Sequence, residues 1–224
     1  MSGISLRNTG VKKVWMILTG YFLFSLGYGQ QFPDQSMMMA RAPATFQAEF
    51  KTTCGTFIIE SNRDWSPLGA DRLYQLLATG FYNSNGIFRV QKDYVVQFGI
   101  GDNSDLNTYW DKHAIADEPR IVKNEKGTLS YARDGANSRT AQLFINLKDN
   151  LKLDTVNYNG ERGFVPVARI IEGYETVEKF YNGYGFEPAQ CQDSIMVKGN
   201  SYLKRVFPKI DYILEAKIIR HSSE

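Results

Sequence analysis

The sequence is poor in the residues that build metal and redox centres: its 224 residues include two cysteines and two histidines. Cys54 and Cys191 lie far apart, and neither His113 nor His221 stands near a cysteine, so no zinc-type ligand spacing exists. Both histidines are expected at the surface. Charge of one sign is also scarce. The net charge is +2 without a long basic run, which argues against a nucleic-acid protein. No Gly-x-Ser-x-Gly elbow occurs. "GIGD", Gly99 to Asp102, lacks the third glycine and the following helix of a phosphate-binding turn. "DGANSR", Asp134 to Arg139, has too few acidic ligands for a calcium loop. No internal repeat is present, and no metal or cofactor is expected.

Long apolar runs are missing too. The most apolar stretch, about Val14 to Leu26, falls short of the roughly 20 residues that span a bilayer. Arg7, Lys12 and Lys13 precede it, and the small residues Gly27 and Gly29 follow, so 1–29 has the form of a signal peptide cut near Gln30. No cysteine sits at the cut to carry a lipid, and the terminal "RHSSE" holds no endoplasmic-reticulum retention signal. The expectation is a secreted or periplasmic protein, free of the membrane after cleavage. Export permits a disulfide between Cys54 and Cys191; two buried free thiols are the other reading.

What remains is globular. Hydrophobic residues make up 43% and aromatics 13%, enough for one domain with a sizeable core. Residues 30–44 have no period and two prolines, and are expected to form a flexible leader before a domain over 45–220 and a tail over 221–224. "DWSPLGADRLYQLLATG" predicts a helix with Ser66 as its cap, Pro67 in its first turn and Gly80 at its end. A second helix is predicted from Glu172 to Tyr181. Strands are predicted at "FQAEFKTT", "GTFIIES", "GIFRV", "YVVQFGI", "GTLSYA", "AQLFIN", "GFVPVARII" and "IDYILEAKII", and residues 183–208 are left irregular. The implied class is mainly β, a closed eight-stranded antiparallel β-barrel capped by two α-helices.

Three of these strands carry polar groups where a plain core strand would not. Residues two apart share a face. Val95 and Gln97 therefore point together, opposite Val96 and Phe98; Gln142 and Phe144 point together, opposite Leu143 and Ile145. Arg89 lies opposite Phe88 and Val90. An unpaired buried arginine is too costly for a dry core, so a groove with apolar walls and a few directed donors fits better.

At these residues the sequence resembles a cyclophilin, the peptidyl-prolyl cis–trans isomerase family, from about Phe46 to Ile219. The strongest blocks are "FRVQKDYVVQFGIGD" and "GTLSYARDGANSRTAQLFIN", extended in register by "NLKDNLKLD" and "VARIIEGYETVEKF". The variety resembles exported bacterial-type members more than compact cytosolic ones. The resemblance implies that Arg89 is the catalytic arginine and that Gln97 holds it. Tyr94 and Val95 stand where the family usually has Phe and Met. Ala132 and Arg133 fall at the backbone-binding Ala-Asn pair, Gln142 and Phe144 at the next groove positions, and Leu153 at the pocket leucine. Phe164 takes a place usually held by His or Tyr. Lys152 replaces an aromatic residue, which bears on cyclosporin-type ligands. The implied partners are proline-containing polypeptides. A non-catalytic proline-peptide binding module on the same barrel is the alternative.

Overall fold

The computed structural model describes residues 30–222, so the expected signal peptide, 1–29, lies outside the described residues. Segment 30–44 is held against the domain, contrary to a flexible leader. It contains a one-turn helix, α1 (Gln35–Met38). The Gln31 N–H donates to the Thr79 carbonyl at 3.0 Å, and the Ala42 N–H donates to the Asp71 carboxylate at 2.8 Å. The segment shows no hydrophobic period because polar contacts, more than an apolar face, fix it.

Strands β1 (Thr45–Thr52) and β2 (Gly55–Asn62) form the expected hairpin. Helix α2 (Pro67–Ala78) follows, with Ala70, Leu73, Leu76 and Leu77 buried at the predicted spacing. Its cap differs from expectation. The Ser66 side chain makes no cap bond; its hydroxyl donates to Glu118. The Glu118 carboxylate itself accepts from the Leu68 N–H at 2.6 Å and the Gly69 N–H at 3.2 Å. A carboxylate there also complements the positive end of the helix dipole. Arg139, 2% exposed, pairs with Glu118 at 2.9 Å.

The short strands β3 (Asn85–Gly86), β4 (Arg89–Gln91) and β5 (Val95–Phe98) come next. A helix does follow "GIGD": α3 (Ser104–Asp111), capped by the Asn103 side chain on the Asp105 and Leu106 N–H groups. Then come β6 (Thr128–Tyr131), β7 (Leu143–Asn146), a small hairpin of β8 (Asn157–Tyr158) and β9 (Glu161–Arg162), and β10 (Pro166–Glu172). The helix predicted over 172–181 shrinks to α4 (Tyr174–Val177). Residues 183–208 are not irregular. They hold a 3₁₀ turn (Glu187–Cys191) and α5 (Gln192–Val206), before the last strand, β11 (Tyr212–His221). His221 thus belongs to the strand and not to a tail.

Nine strands make one antiparallel sheet in the order β3-β11-β1-β2-β10-β6-β7-β5-β4. The sheet curls without closing into the expected eight-stranded barrel: β3 and β4, two and three residues long, stand at its ends. Outside β4, the Val90 N–H finds the Gly185 carbonyl at 3.3 Å. The main core packs α2 against the sheet and contains Val96, Phe98, Leu143 and Ile145, as strand alternation requires. Phe88 instead joins a second cluster with Ile195, Leu203 and Phe207, beneath α5. Its partner in the predicted alternation, Val90, stays in the main core.

Helix α5 is interrupted at Gly199 (φ 54°, ψ −143°), a conformation that only glycine adopts cheaply. A Cβ there would lie 2.6 Å from the Asp102 carbonyl oxygen. The close approach lets the Asp102 carboxylate accept from the Asn200 N–H at 2.7 Å. The two cysteines do not form the disulfide that export would permit. Cys54 packs on the main core, its thiol 3.1 Å from the Asp211 carboxylate, whereas Cys191 packs on the second cluster.

Candidate active site

The register of three strands builds the centre of the site. Arg89 of β4 pairs with Gln97 of β5, and Gln97 pairs with Phe144 of β7. Cross-strand partners share a face, so these three side chains form one row. Val95, two residues from Gln97, lies on the same face, as do Gln142 and Phe144 on theirs. A groove of about 890 Å³ opens over this row. It is lined by all ten residues singled out in the sequence: Arg89, Tyr94, Val95, Gln97, Ala132, Arg133, Gln142, Phe144, Leu153 and Phe164.

At one end the groove is an apolar pocket. Phe144 is 6% exposed and meets Phe164 edge-on, ring centres 5.4 Å apart at 83°. Leu153 sits in a 3₁₀ turn (Leu151–Asp154), and the Phe164 N–H donates to its carbonyl at 2.9 Å, which ties the two walls together. Beneath them runs a buried amide network. Asn124 donates to the Asp154 carboxylate at 2.8 Å and to the Phe164 carbonyl at 2.9 Å, while Asn150 donates to the Tyr94 carbonyl at 2.8 Å. These supports were invisible in the sequence, because isolated asparagines carry no period.

Arg89 occupies the middle. Its Nη1 donates to Gln97 Oε1 at 3.0 Å, and its Nε donates to Gln91 Oε1 at 2.8 Å, with Nη2 donating to the same oxygen. A guanidinium has five N–H donors, so among the described residues one N–H on each Nη has no hydrogen-bond partner. Burial pulls the Arg89 guanidinium below its usual value, although arginine stays charged throughout the working range. Gln91 was missed in the sequence. Its position two residues from Arg89, on the same face of β4, was the available signal.

Arg133 behaves differently from the expectation for a residue that grips substrate. Its guanidinium donates to the carbonyls of Tyr158 at 3.0 Å, Glu161 at 2.9 Å and Gly163 at 2.6 Å, and stacks on Phe164 with its central carbon 4.7 Å from the ring centre. It clamps the β8–β9 hairpin and steadies Phe164. Its neighbour Ala132 keeps its backbone N–H on the Gln142 carbonyl at 2.9 Å. Beyond Gln142 the groove gains a wall that sequence reasoning did not foresee, made by Phe186, Gln192, Asp193, Met196 and Val197.

Residues 47–199 match the family model described as cyclophilin type peptidyl-prolyl cis–trans isomerase/CLD. The chain belongs to this family. Among curated cyclophilins, it is 30% identical over 173 residues to peptidyl-prolyl cis–trans isomerase B of Escherichia coli (strain K12), spanning 75% of this chain and 95% of that protein. It is 29% identical over 132 residues to isomerase A of Dickeya dadantii, spanning 57% and 67%. A crystal structure of a cyclophilin from Cryptosporidium parvum shares the fold with a TM-score of 0.57 at 20% identity, covering 80% of this chain and 99% of that one. A second structure of that protein was determined in the presence of the dipeptide Ala-Pro and superposes with a TM-score of 0.51. As a cyclophilin, the chain is a peptidyl-prolyl cis–trans isomerase.

Proposed function

We propose that the groove binds an X–Pro segment of a polypeptide with the prolyl ring against Val95, Phe144, Leu153 and Phe164, and that Arg89 drives the rotation. Amide resonance sets a barrier of about 18–20 kcal/mol, which leaves uncatalysed times of tens to hundreds of seconds. Reaching milliseconds takes roughly 10⁴- to 10⁵-fold acceleration, or about 6–7 kcal/mol. No σ-bond breaks, so neither a nucleophile nor a proton relay is required. As the bond twists, the prolyl nitrogen loses resonance and its lone pair becomes an acceptor. A donor aimed at that lone pair binds the twisted state more tightly than either planar isomer.

The observation that carries this reading is the unspent N–H on each Nη of Arg89, at the mouth of an apolar pocket, with the guanidinium held by Gln97 and Gln91. Gln142 and the backbone around Ala132 supply further polar contacts for the peptide flanking the ring. The Ala-Pro dipeptide used with the Cryptosporidium protein is the minimal ligand of the same chemistry. The expected signal peptide, 1–29, supports exported proteins as the clients, in a periplasm or outside the cell.

A protease-coupled assay on a prolyl peptide tests the reading. Wild-type protein is expected to turn over, and Arg89→Ala to lose roughly 10²- to 10³-fold in kcat/KM, the usual cost of one transition-state donor. Equal turnover by the two proteins would sink the assignment. Peptide binding without exchange between the isomers would instead favour a binding module.

A further inference from the structure

Of the groove wall that segment 183–208 supplies, two residues touch the polar row of the site. The Phe186 ring covers Arg89, its centre 4.7 Å from the guanidinium carbon. Gln192, at the start of α5, accepts from Gln142 Nε2 at 2.9 Å. We propose that Phe186 and Gln192 are positioning residues of the isomerase, holding Arg89 from the side of the groove that the strands leave open. The proposal rests on Arg89 being the donor to the prolyl nitrogen.

The polarity of a glutamine relay supports it. Gln192 donates its Nε2 to the Ala189 carbonyl at 3.1 Å, which turns its Oε1 toward Gln142. Gln142, with its Nε2 so engaged, presents Oε1 to Gln97 Nε2 at 2.9 Å, and Gln97 presents Oε1 to Arg89. A carbonyl can only accept and a guanidinium can only donate. Both ends therefore enforce one orientation on three amides that could otherwise flip. Without Gln192, Gln142 loses its anchor, and a flipped Gln97 would point an N–H at the guanidinium.

Phe186 acts on the plane of the group. Its ring face attracts the cation and restricts rotation out of the plane that Gln91 and Gln97 define. The segment is itself anchored, by the Val90 N–H on the Gly185 carbonyl at 3.3 Å and by the buried Ala189. The Phe186 ring is 44% exposed, so its hold on Arg89 belongs at the modest end of such contacts.

Four variants and two readouts test the proposal: Phe186→Leu, Phe186→Trp, Gln192→Leu and Arg89→Ala, with kcat and KM from isomerase assays and nitrogen-15 NMR of the Arg89 guanidinium. Phe186→Leu and Gln192→Leu are expected to lower kcat about two- to five-fold with KM nearly unchanged. Their Arg89 N–H signals should broaden as the group gains freedom, and Phe186→Trp should restore both. If the two leucine variants keep wild-type kcat and Arg89 signals while Arg89→Ala abolishes turnover, the positioning role is wrong and the reading of Arg89 stands. If Arg89→Ala turns over normally, both fall. A rise in KM alone, or a loss of activity matching the loss of folded protein, also overturns it.

Discussion

Gln97 Oε1 lies 3.0 Å from Arg89 Nη1, and the two residues are direct partners across β4 and β5. The strand register alone therefore delivers the orienting amide to the guanidinium. Gln97→Leu removes that acceptor while conserving most of the volume. The expected result is roughly ten-fold lower kcat/KM, equivalent to about 1.4 kcal/mol, with the fold retained. An isomerase assay beside a thermal melt checks both.

Glu118 caps α2 and neutralises Arg139, and its side chain is 8% exposed. Glu118→Ala leaves a buried guanidinium without its carboxylate and a helix start without its acceptor. The loss of stability should be about 3–5 kcal/mol in denaturant unfolding. Asp117, 3.7 Å from Arg139, is too far to take over the short contact. A loss under 1 kcal/mol would show that the cluster is not what secures this helix.

Burial, and then the hydrogen bond with the Asp211 carboxylate, push the Cys54 thiol up to about 11 from an ordinary 9.0. The native state therefore holds this proton more tightly than the unfolded chain does. The stabilisation is complete below about pH 9 and is lost as pH rises through about 11. At pH 8 the native thiol should resist alkylation, and Asp211→Asn should speed the reaction several-fold. Unfolding without reductant should release both Cys54 and Cys191 as free thiols in an Ellman assay.

Gly199→Ala forces a Cβ toward Asp102 at a positive φ. The expected cost is about 2–3 kcal/mol, read from denaturant midpoints. Hydrogen exchange should localise the loosening to α5.

The sequence made the site more legible than its setting. The faces of β5 and β7 follow from alternation alone, and those faces carry Val95, Gln97, Gln142 and Phe144. Helix α2 announced itself by apolar spacing, yet its cap comes from Glu118, fifty residues downstream, which no local pattern reveals. Helix α5 stayed hidden because Gly199 and Asn200 break its middle and its buried residues are widely spaced. Helix α3 is only eight residues long, and its fully buried apolar residues are only Leu106 and Trp110, with Tyr109 packed beside them. Arg133 was expected to grip a substrate backbone; it lines the groove, but its donors are spent on internal carbonyls, a placement that no local sequence pattern reveals.

The contact between the Val90 N–H and the Gly185 carbonyl has a consequence for how clients leave. An isomerase handles extended chains, and an uncovered strand next to its groove would recruit such a chain as one more ladder partner. β4 lies at the end of the sheet, and its outward donor is already occupied by the chain itself. In the binding mode proposed above, a peptide is left to hold on through its prolyl ring and a few polar contacts. That weak grip suits an enzyme that must release each client to act on the next.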